Sequence, residues 1–204
     1  MAVEEATVLP HYRLMELTLH TERLRMTPYT ESDVDLSIAL FTDPEVVGYA
    51  GHLMEEDEIR REMPTVTRRG GDGEIGIWCV TQQATGKKIG TGALLPMPIE
   101  DQETDFGSLV PGELPDAEIE IGFFLIPEAW GNGYATEIAR GLLRFAFEVA
   151  TLSEVVATHD KANVASRNVL LKAGFSDRGE RHLYGGFGPY LGVTREDWSQ
   201  MSSI

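Results

Sequence analysis

The sequence predicts one mixed α/β domain: a central sheet of about seven strands carrying about four helices. Three observations predict it. The chain has 204 residues and is 42% apolar and 25% charged, which suits a single packed core and not a disordered polymer. Strand-like runs of period two alternate with runs of helical spacing, with no internal repeat. Some strands are joined by tight turns and others by helices, so the sheet contains both hairpins and crossovers and is mixed.

In chain order, Leu19 to Met26 alternates apolar and polar residues until Pro28-Tyr29-Thr30 breaks it, a strand. Thr30 and Asp33 form a short capping box for a helix through Val34, Ile38 and Phe41, which Asp43-Pro44 ends. A second helix runs from about Glu55 to Met63, acidic at its start and basic later, and Pro64 stops it. Arg69-Gly70-Gly71-Asp72-Gly73 is a turn. Ile75, Ile77 and Cys79 alternate as a strand, and Ala84 to Lys87 turns it into a second strand, Ile89 to Leu95. Residues 97 to 117 form a proline-bearing acidic loop, a lid or a mobile segment.

Glu118 to Ile126 is the most apolar strand. Gly131-Asn132-Gly133 leads from it into a helix, Tyr134 to Val149, with Ile138, Leu142, Phe145 and Val149 on one face. A strand at Val155 to His159 follows. Asn163 can cap a helix to Lys172, which Gly174 stops, and two strands occupy Phe175 to Val193 before Thr194 caps a last turn through Trp198. The whole chain, 1–204, reads as one domain with an extension at 1–18.

The net charge of -16 removes the electrostatic term of non-specific nucleic-acid binding. The partner expected is neutral or cationic. Cys79 is the only cysteine, so no intramolecular disulfide or cysteine-rich metal site can form. His11, His20, His52, His159 and His182 show no ligand spacing, and no metal is expected. With no signal-like N-terminus and no 18-residue apolar run, a cytoplasmic protein without a membrane partner is expected.

The charge is unevenly placed. Residues 89 to 139 hold no Lys, Arg or His but ten acids: Glu100, Asp101, Glu103, Asp105, Glu113, Asp116, Glu118, Glu120, Glu128 and Glu137. This is either a solvated acidic segment or a mouth that attracts amines.

A strand, a glycine turn and a helix N-terminus together offer outward N–H groups and a favourable dipole to an anion, usually phosphate. A dinucleotide fingerprint is a poor fit, because Thr136 stands three residues after Gly133. A P-loop is excluded by Tyr134-Ala135 where Lys-Ser/Thr belongs. A purely structural turn is the remaining alternative.

The run from Glu120 to Glu137 (EIGFFLIPEAWGNGYATE), Asn163-Val-Ala-Ser166 and Leu171-Lys-Ala-Gly-Phe175 resembles the GNAT superfamily of acetyl-CoA-dependent N-acetyltransferases. Within it the resemblance is to the branch of ribosomal-protein N-terminal acetyltransferases, from Leu19-His-Thr-Glu-Arg-Leu-Arg25 to Thr194-Arg-Glu-Asp-Trp198. It implies a mostly antiparallel sheet with one splayed parallel pair. It implies acetyl-CoA as cosubstrate, with the amides of Trp130, Gly131, Asn132, Gly133, Tyr134, Ala135 and Thr136 around the pyrophosphate. Phe123, Phe124 and Leu125 would pair with the pantetheine, and Asn163 would reach the cofactor arm. Trp130 replaces the Gln or Arg of the family's Gln/Arg-x-x-Gly-x-Gly/Ala loop. With no Lys or Arg in that loop, the diphosphate would rest on backbone dipoles. Arg140, Arg144, Arg167 and Lys172 are candidates for the ribose phosphate, or ordinary surface charges.

Acetyl transfer needs a neutral amine and a proton for the leaving thiolate. The resemblance places Glu120 at the substrate end as general base, with Glu118 binding the amine; the alternative is that both are solubilising charges. Many members use a tyrosine as acid where this chain has Leu170. The ribosomal branch presents a serine at Ser166, the proton donor expected here, with Tyr134, Tyr184 and Tyr190 in reserve. The implied function is direct acetyl transfer to a primary amine, a peptide N-terminus or a small cation. A non-catalytic acyl-CoA-binding domain is the alternative. Tyr184, Phe187 and Tyr190 would form a homodimer surface or close the acceptor pocket.

Overall fold

The computed structural model describes residues 17–101 and 103–201. Of the expected extension 1–18, only Leu17 and Thr18 fall among them. Eight strands form one open sheet: β1 (Leu19–His20), β2 (Leu24–Pro28), β3 (Gly76–Gln82), β4 (Lys88–Pro96), β5 (Ile119–Leu125), β6 (Glu154–Ala157), β7 (Ser176–Leu183) and β8 (Gly186–Thr194). Their order is β1-β2-β3-β4-β5-β6-β8-β7. Every neighbouring pair is antiparallel except β5 and β6. The helices are α1 (Val34–Phe41), α2 (Pro44–Val47), α3 (Glu56–Val66), α4 (Tyr134–Glu148), α5 (Val164–Ala173) and α6 (Arg195–Met201). None of the described helices is long and apolar enough to cross a membrane.

The first expected strand is a hairpin. Thr21 N–H donates to the Leu24 carbonyl at 3.0 Å and Leu24 N–H to Thr21 Oγ1 at 3.1 Å, which turns the chain and adds the eighth strand. α1 stops before Asp43-Pro44 as expected, and the same pair then begins a further short helix, α2. Asp43 caps it, accepting from Glu45 N–H at 2.8 Å, and a proline at the first helical position has no N–H to lose. Pro64 lies inside α3, in its last turn, and the Thr67 N–H still reaches the Met63 carbonyl at 3.1 Å. The acidic segment 97–117 is tied down: Leu109 is fully buried, and Gly71 exchanges backbone hydrogen bonds with Glu113 and Gly112 at 2.7 Å each.

The core lies on both faces of the sheet. Ile138, Leu142 and Phe145 of α4 are buried against β4 and β5, while Val149, at the helix end, is 52% exposed. Close approach depends on Gly92, where an added Cβ would lie 2.8 Å from Ile138 Cγ2 and 3.0 Å from Leu142 Cδ1. A side chain there would force α4 off the sheet at a cost of about 1–3 kcal/mol. On the opposite face, Phe41 of α1 meets Phe124 of β5 edge-on, with ring centroids 5.3 Å apart. Glu120, Gly122 and Phe124 share that face by strand alternation.

Candidate active site

The parallel pair defines the site. β5 and β6 share only one register pair, Glu120 with Val156, and beyond it β6 continues along β8 through Ala157 opposite Leu191. The β6-facing edge of β5 from Ile121 to Leu125 is therefore left without a strand, and a V-shaped gap opens at Glu120. A cleft of about 1780 Å³ fills the gap and extends across the α1 face of the sheet.

At the open end of the V stands the glycine turn. Gly131 and Gly133 have φ of 73° and 79°, left-handed values that suit glycine. Gly133 is the N-cap of α4 and no side chain caps the helix. Among the described residues the backbone N–H groups of Gly131 to Thr136 make no hydrogen bond. Gly131, Gly133, Tyr134, Ala135 and Thr136 line the cleft, as do Phe123, Phe124, Leu125 and Trp130. Free amides at a helix start and an unpaired strand edge are the fit that a diphosphate and an extended amide-bearing arm require.

Three expected contacts differ. The Trp130 N–H donates to the Pro127 carbonyl at 3.0 Å, so that amide is spent; its indole N–H instead holds the Leu125 carbonyl at 2.8 Å. Asn132 is outside the cleft lining, and its carboxamide braces the turn through the Trp130 carbonyl at 2.8 Å. Among the proposed ribose-phosphate cations, Lys172 lines the cleft, whereas Arg140 and Arg144 hold the Lys172 and His20 carbonyls. Asn163 lines the cleft and caps α5, accepting from Ser166 N–H at 3.0 Å. Ser166 lines the cleft in the first helical turn.

At the vertex, Glu120 is buried at 8% exposure. The Tyr184 hydroxyl donates to its Oε2 at 2.5 Å and the Thr158 N–H to its Oε1 at 3.3 Å. Burial pushes the carboxyl up to about 7; the bonds from Tyr184 and Thr158 oppose that rise. Tyr184 and Gly185, with φ of 51° and 67°, form the two-residue turn of the β7–β8 hairpin, which takes positive φ at both positions, and the Tyr184 N–H donates to the Pro98 carbonyl at 3.0 Å. Glu118 has a different surrounding: Arg181 pairs with its Oε2 and the Tyr190 hydroxyl with its Oε1, each at 2.5 Å, and it does not line the cleft. Its charge is already answered, so the amine contact expected of it has no place. Tyr184 and Tyr190 are thus occupied, and of the aromatic patch foreseen as a dimer surface only Phe187 is exposed, at 74%.

The far end of the cleft is acidic. Of the ten acids counted in 89–139, only Glu103, Asp105 and Glu120 line the cleft; Glu45 of α2, Glu58 and Glu62 of α3 and Asp160 line it as well. Sequence reasoning assigns Glu58 to the helix dipole and overlooks Glu62 and Glu45. No group of three or more His, Cys, Asp or Glu suited to a metal occurs among the described residues.

This arrangement of splayed strands, amide turn and buried glutamate defines an acyl-CoA-dependent acetyltransferase. A family described as acetyltransferase (GNAT) domain matches residues 23–176, and the chain belongs to it. It is similar to the FsC-acetyl coenzyme A-N(2)-transacetylase of Aspergillus fumigatus, 28% identical over 90% of this chain and 79% of that protein. It is also similar to the N-acetyltransferase YoaA of Bacillus subtilis, 30% identical over 84% of this chain and 91% of the other. The fold matches a GNAT acetyltransferase from Bacillus anthracis (TM-score 0.68, 18% identity, 88% and 99% coverage). It also matches AAC(6′)-Ib bound to ribostamycin and coenzyme A (0.66, 17%, 88% and 97%). A Vibrio cholerae protein assigned as a ribosomal-protein-serine acetyltransferase matches too (0.63, 15%, 87% and 97%). Acetyl-CoA is the cosubstrate.

Proposed function

We propose that the protein is an N-acetyltransferase that acetylates a primary amine on a cationic acceptor by direct attack in a ternary complex. The observation that carries the reading is Glu120: a buried carboxyl, pushed up to about 7, at the vertex where the cofactor gap meets the acidic end of the cleft. A base poised near neutrality suits deprotonation of an ammonium group.

Acetyl-CoA, when bound, supplies the thioester whose C–S bond breaks as the amine nitrogen bonds to the acetyl carbon. Glu120 accepts the proton the nitrogen loses, directly or through one water, and Tyr184 and Thr158 hold its two oxygens in place. Ser166, in the cleft wall, gives a proton to the leaving sulfur. Glu45, Glu58, Glu62, Glu103 and Asp105 draw a cationic acceptor to the far end. A buried base without a structural counter-cation favours this reading over a non-catalytic acyl-CoA-binding domain.

The acceptor is best matched by a small polyamine. The A. fumigatus relative is named for transfer to an N(2) amine, and AAC(6′)-Ib is bound to an aminoglycoside. The resemblance to ribosomal-protein enzymes keeps N-terminal peptides in the same test. Thiol release from acetyl-CoA is measured with polyamines, aminoglycosides and N-terminal peptides. Turnover on cationic small amines is expected; coenzyme A binding with no turnover on any amine would leave the binding-domain reading standing.

A further inference from the structure

The cofactor turn contains no cation, yet one side chain from more than a hundred residues upstream grips it from behind. Arg23 lies in the turn between β1 and β2, within the Thr21-Glu22-Arg23-Leu24-Arg25 stretch that the acetyl-transfer scheme leaves without a role. Its Nη1 donates to the Asn132 carbonyl at 3.0 Å. Its Nε and Nη2 each lie 2.7 Å from Glu137 Oε2, and its backbone N–H donates to Glu137 Oε1 at 2.7 Å. Thr21 Oγ1 adds a 2.5 Å bond to the same oxygen. The guanidinium carbon sits 4.5 Å above the centre of the Tyr134 ring, whose hydroxyl accepts from Gln82 at 3.0 Å.

Two consequences follow from elementary geometry. In a trans peptide the C=O and the following N–H point in opposite directions, and the described chain has no cis bond. Holding the Asn132 carbonyl on the Arg23 side therefore turns the Gly133 N–H to the opposite side. Asn132 Nδ2 does the same two peptides back, fixing the Trp130 carbonyl and so the Gly131 N–H. The second consequence is electrostatic. Glu137 occupies the first turn of α4, where its carboxylate would compete with an incoming anion for the helix start. Burial alone would raise its pKa, but the bonds from Thr21 and Arg23 outweigh burial and keep it ionised below its usual range. The negative charge is thus pinned and answered away from the free amides.

We propose that Arg23 is a positioning residue of the cofactor turn: it orients the Gly133 amide toward the diphosphate and withdraws Glu137 from the same anion site. The inference rests on the coenzyme A assignment and not on which amine is acetylated. Its planar fork is what the role needs, since a lysine retains the charge but cannot serve the carbonyl, the carboxylate and the ring together.

The test compares coenzyme A with pantetheine, which lacks the diphosphate and the phosphoadenosine attached to it. Coenzyme A binding is followed by calorimetry and pantetheine by ligand-observed NMR, neither of which needs an acceptor. For Arg23→Met we expect coenzyme A to bind about tenfold more weakly while pantetheine changes by less than about twofold. Arg23→Lys should fall between. The double variant Arg23→Met/Glu137→Gln should recover part of the loss, because the unanswered carboxylate is gone. Thermal unfolding of each variant reports separately on stability. Equal weakening for both ligands would reduce Arg23 to a packing role and overturn the inference, and so would unchanged coenzyme A affinity. Wild-type protein that binds pantetheine but gains nothing from the diphosphate would overturn the turn assignment itself.

Discussion

The two ends of the cleft are built from different material. The cofactor end is backbone: free amides of Gly131 to Thr136, an unpaired edge of β5 and two glycines at positive φ. The end proposed for the acceptor is side chain: carboxylates from α2, α3 and the 97–117 segment, and a buried Glu120 gripped by Tyr184. Backbone recognition is tied to the fold and tolerates much sequence change; side-chain recognition is set residue by residue. The contrast explains how one chain can hold an anion at one end while carrying a net charge of -16. The one acid in the first turn of α4, Glu137, is neutralised by Arg23.

The sharpest way to break this division is to remove one function without the other. Glu120→Gln should lower kcat by about a thousandfold with coenzyme A affinity unchanged, within the range general-base loss produces. Stopped assays of thiol release alongside calorimetry would show it, and a near-normal kcat would remove Glu120 from the chemistry. The converse variant, Ala135→Trp, places a ring over the free amides in the first turn of α4. It should weaken coenzyme A binding by roughly a hundredfold. If affinity survived, the diphosphate would have to bind elsewhere.

The same division governs what the sequence made legible. The turn at the cofactor end could be read as an anion site because that depends on local order, a strand, two glycines and a helix start, while its assignment to coenzyme A came from the family resemblance. The acceptor end depends on which distant segments meet. Glu118, which immediately precedes β5, and Glu120 within it are two residues apart with the same side-chain chemistry, yet Arg181 and Tyr190 claim Glu118 while Glu120 keeps a tyrosine and an amide. Nothing local to positions 118–120 encodes that split, because the partners come from β7, β8, the turn between them and Thr158 just past β6. Glu45, Glu58 and Glu62 were missed for the same reason. Pro44 did mark the end of α1 and also opens α2, where a first helical position suits it, whereas Pro64 misled as a breaker: it lies in the last turn of α3, where only the bond to the Arg60 carbonyl is lost.

A smaller effect separates attraction from chemistry at the acceptor end. Glu58→Gln/Glu62→Gln should raise KM for cationic acceptors by about three- to tenfold, leave kcat and the KM for acetyl-CoA in place, and lose most of its effect at high salt. An equal rise for a neutral amine would show that these residues shape the pocket without steering charge.

The smallest effect concerns how Tyr184 tunes the base. Glu120 is raised above the ordinary carboxylate range, to about 7, so kcat/KM should climb with pH through about 7 as the base form appears. Folding stability should run the other way. Between its unfolded value near 4.3 and about 7 the folded chain holds the proton that the unfolded chain has released, so stability falls as pH rises across that window. Tyr184→Phe removes a bond that favours the ionised carboxylate. The rising limb should therefore move to higher pH by about one unit, with kcat at the plateau reduced only severalfold. A limb that stayed in place while kcat collapsed would instead make Tyr184, and not Ser166, the donor to the leaving sulfur.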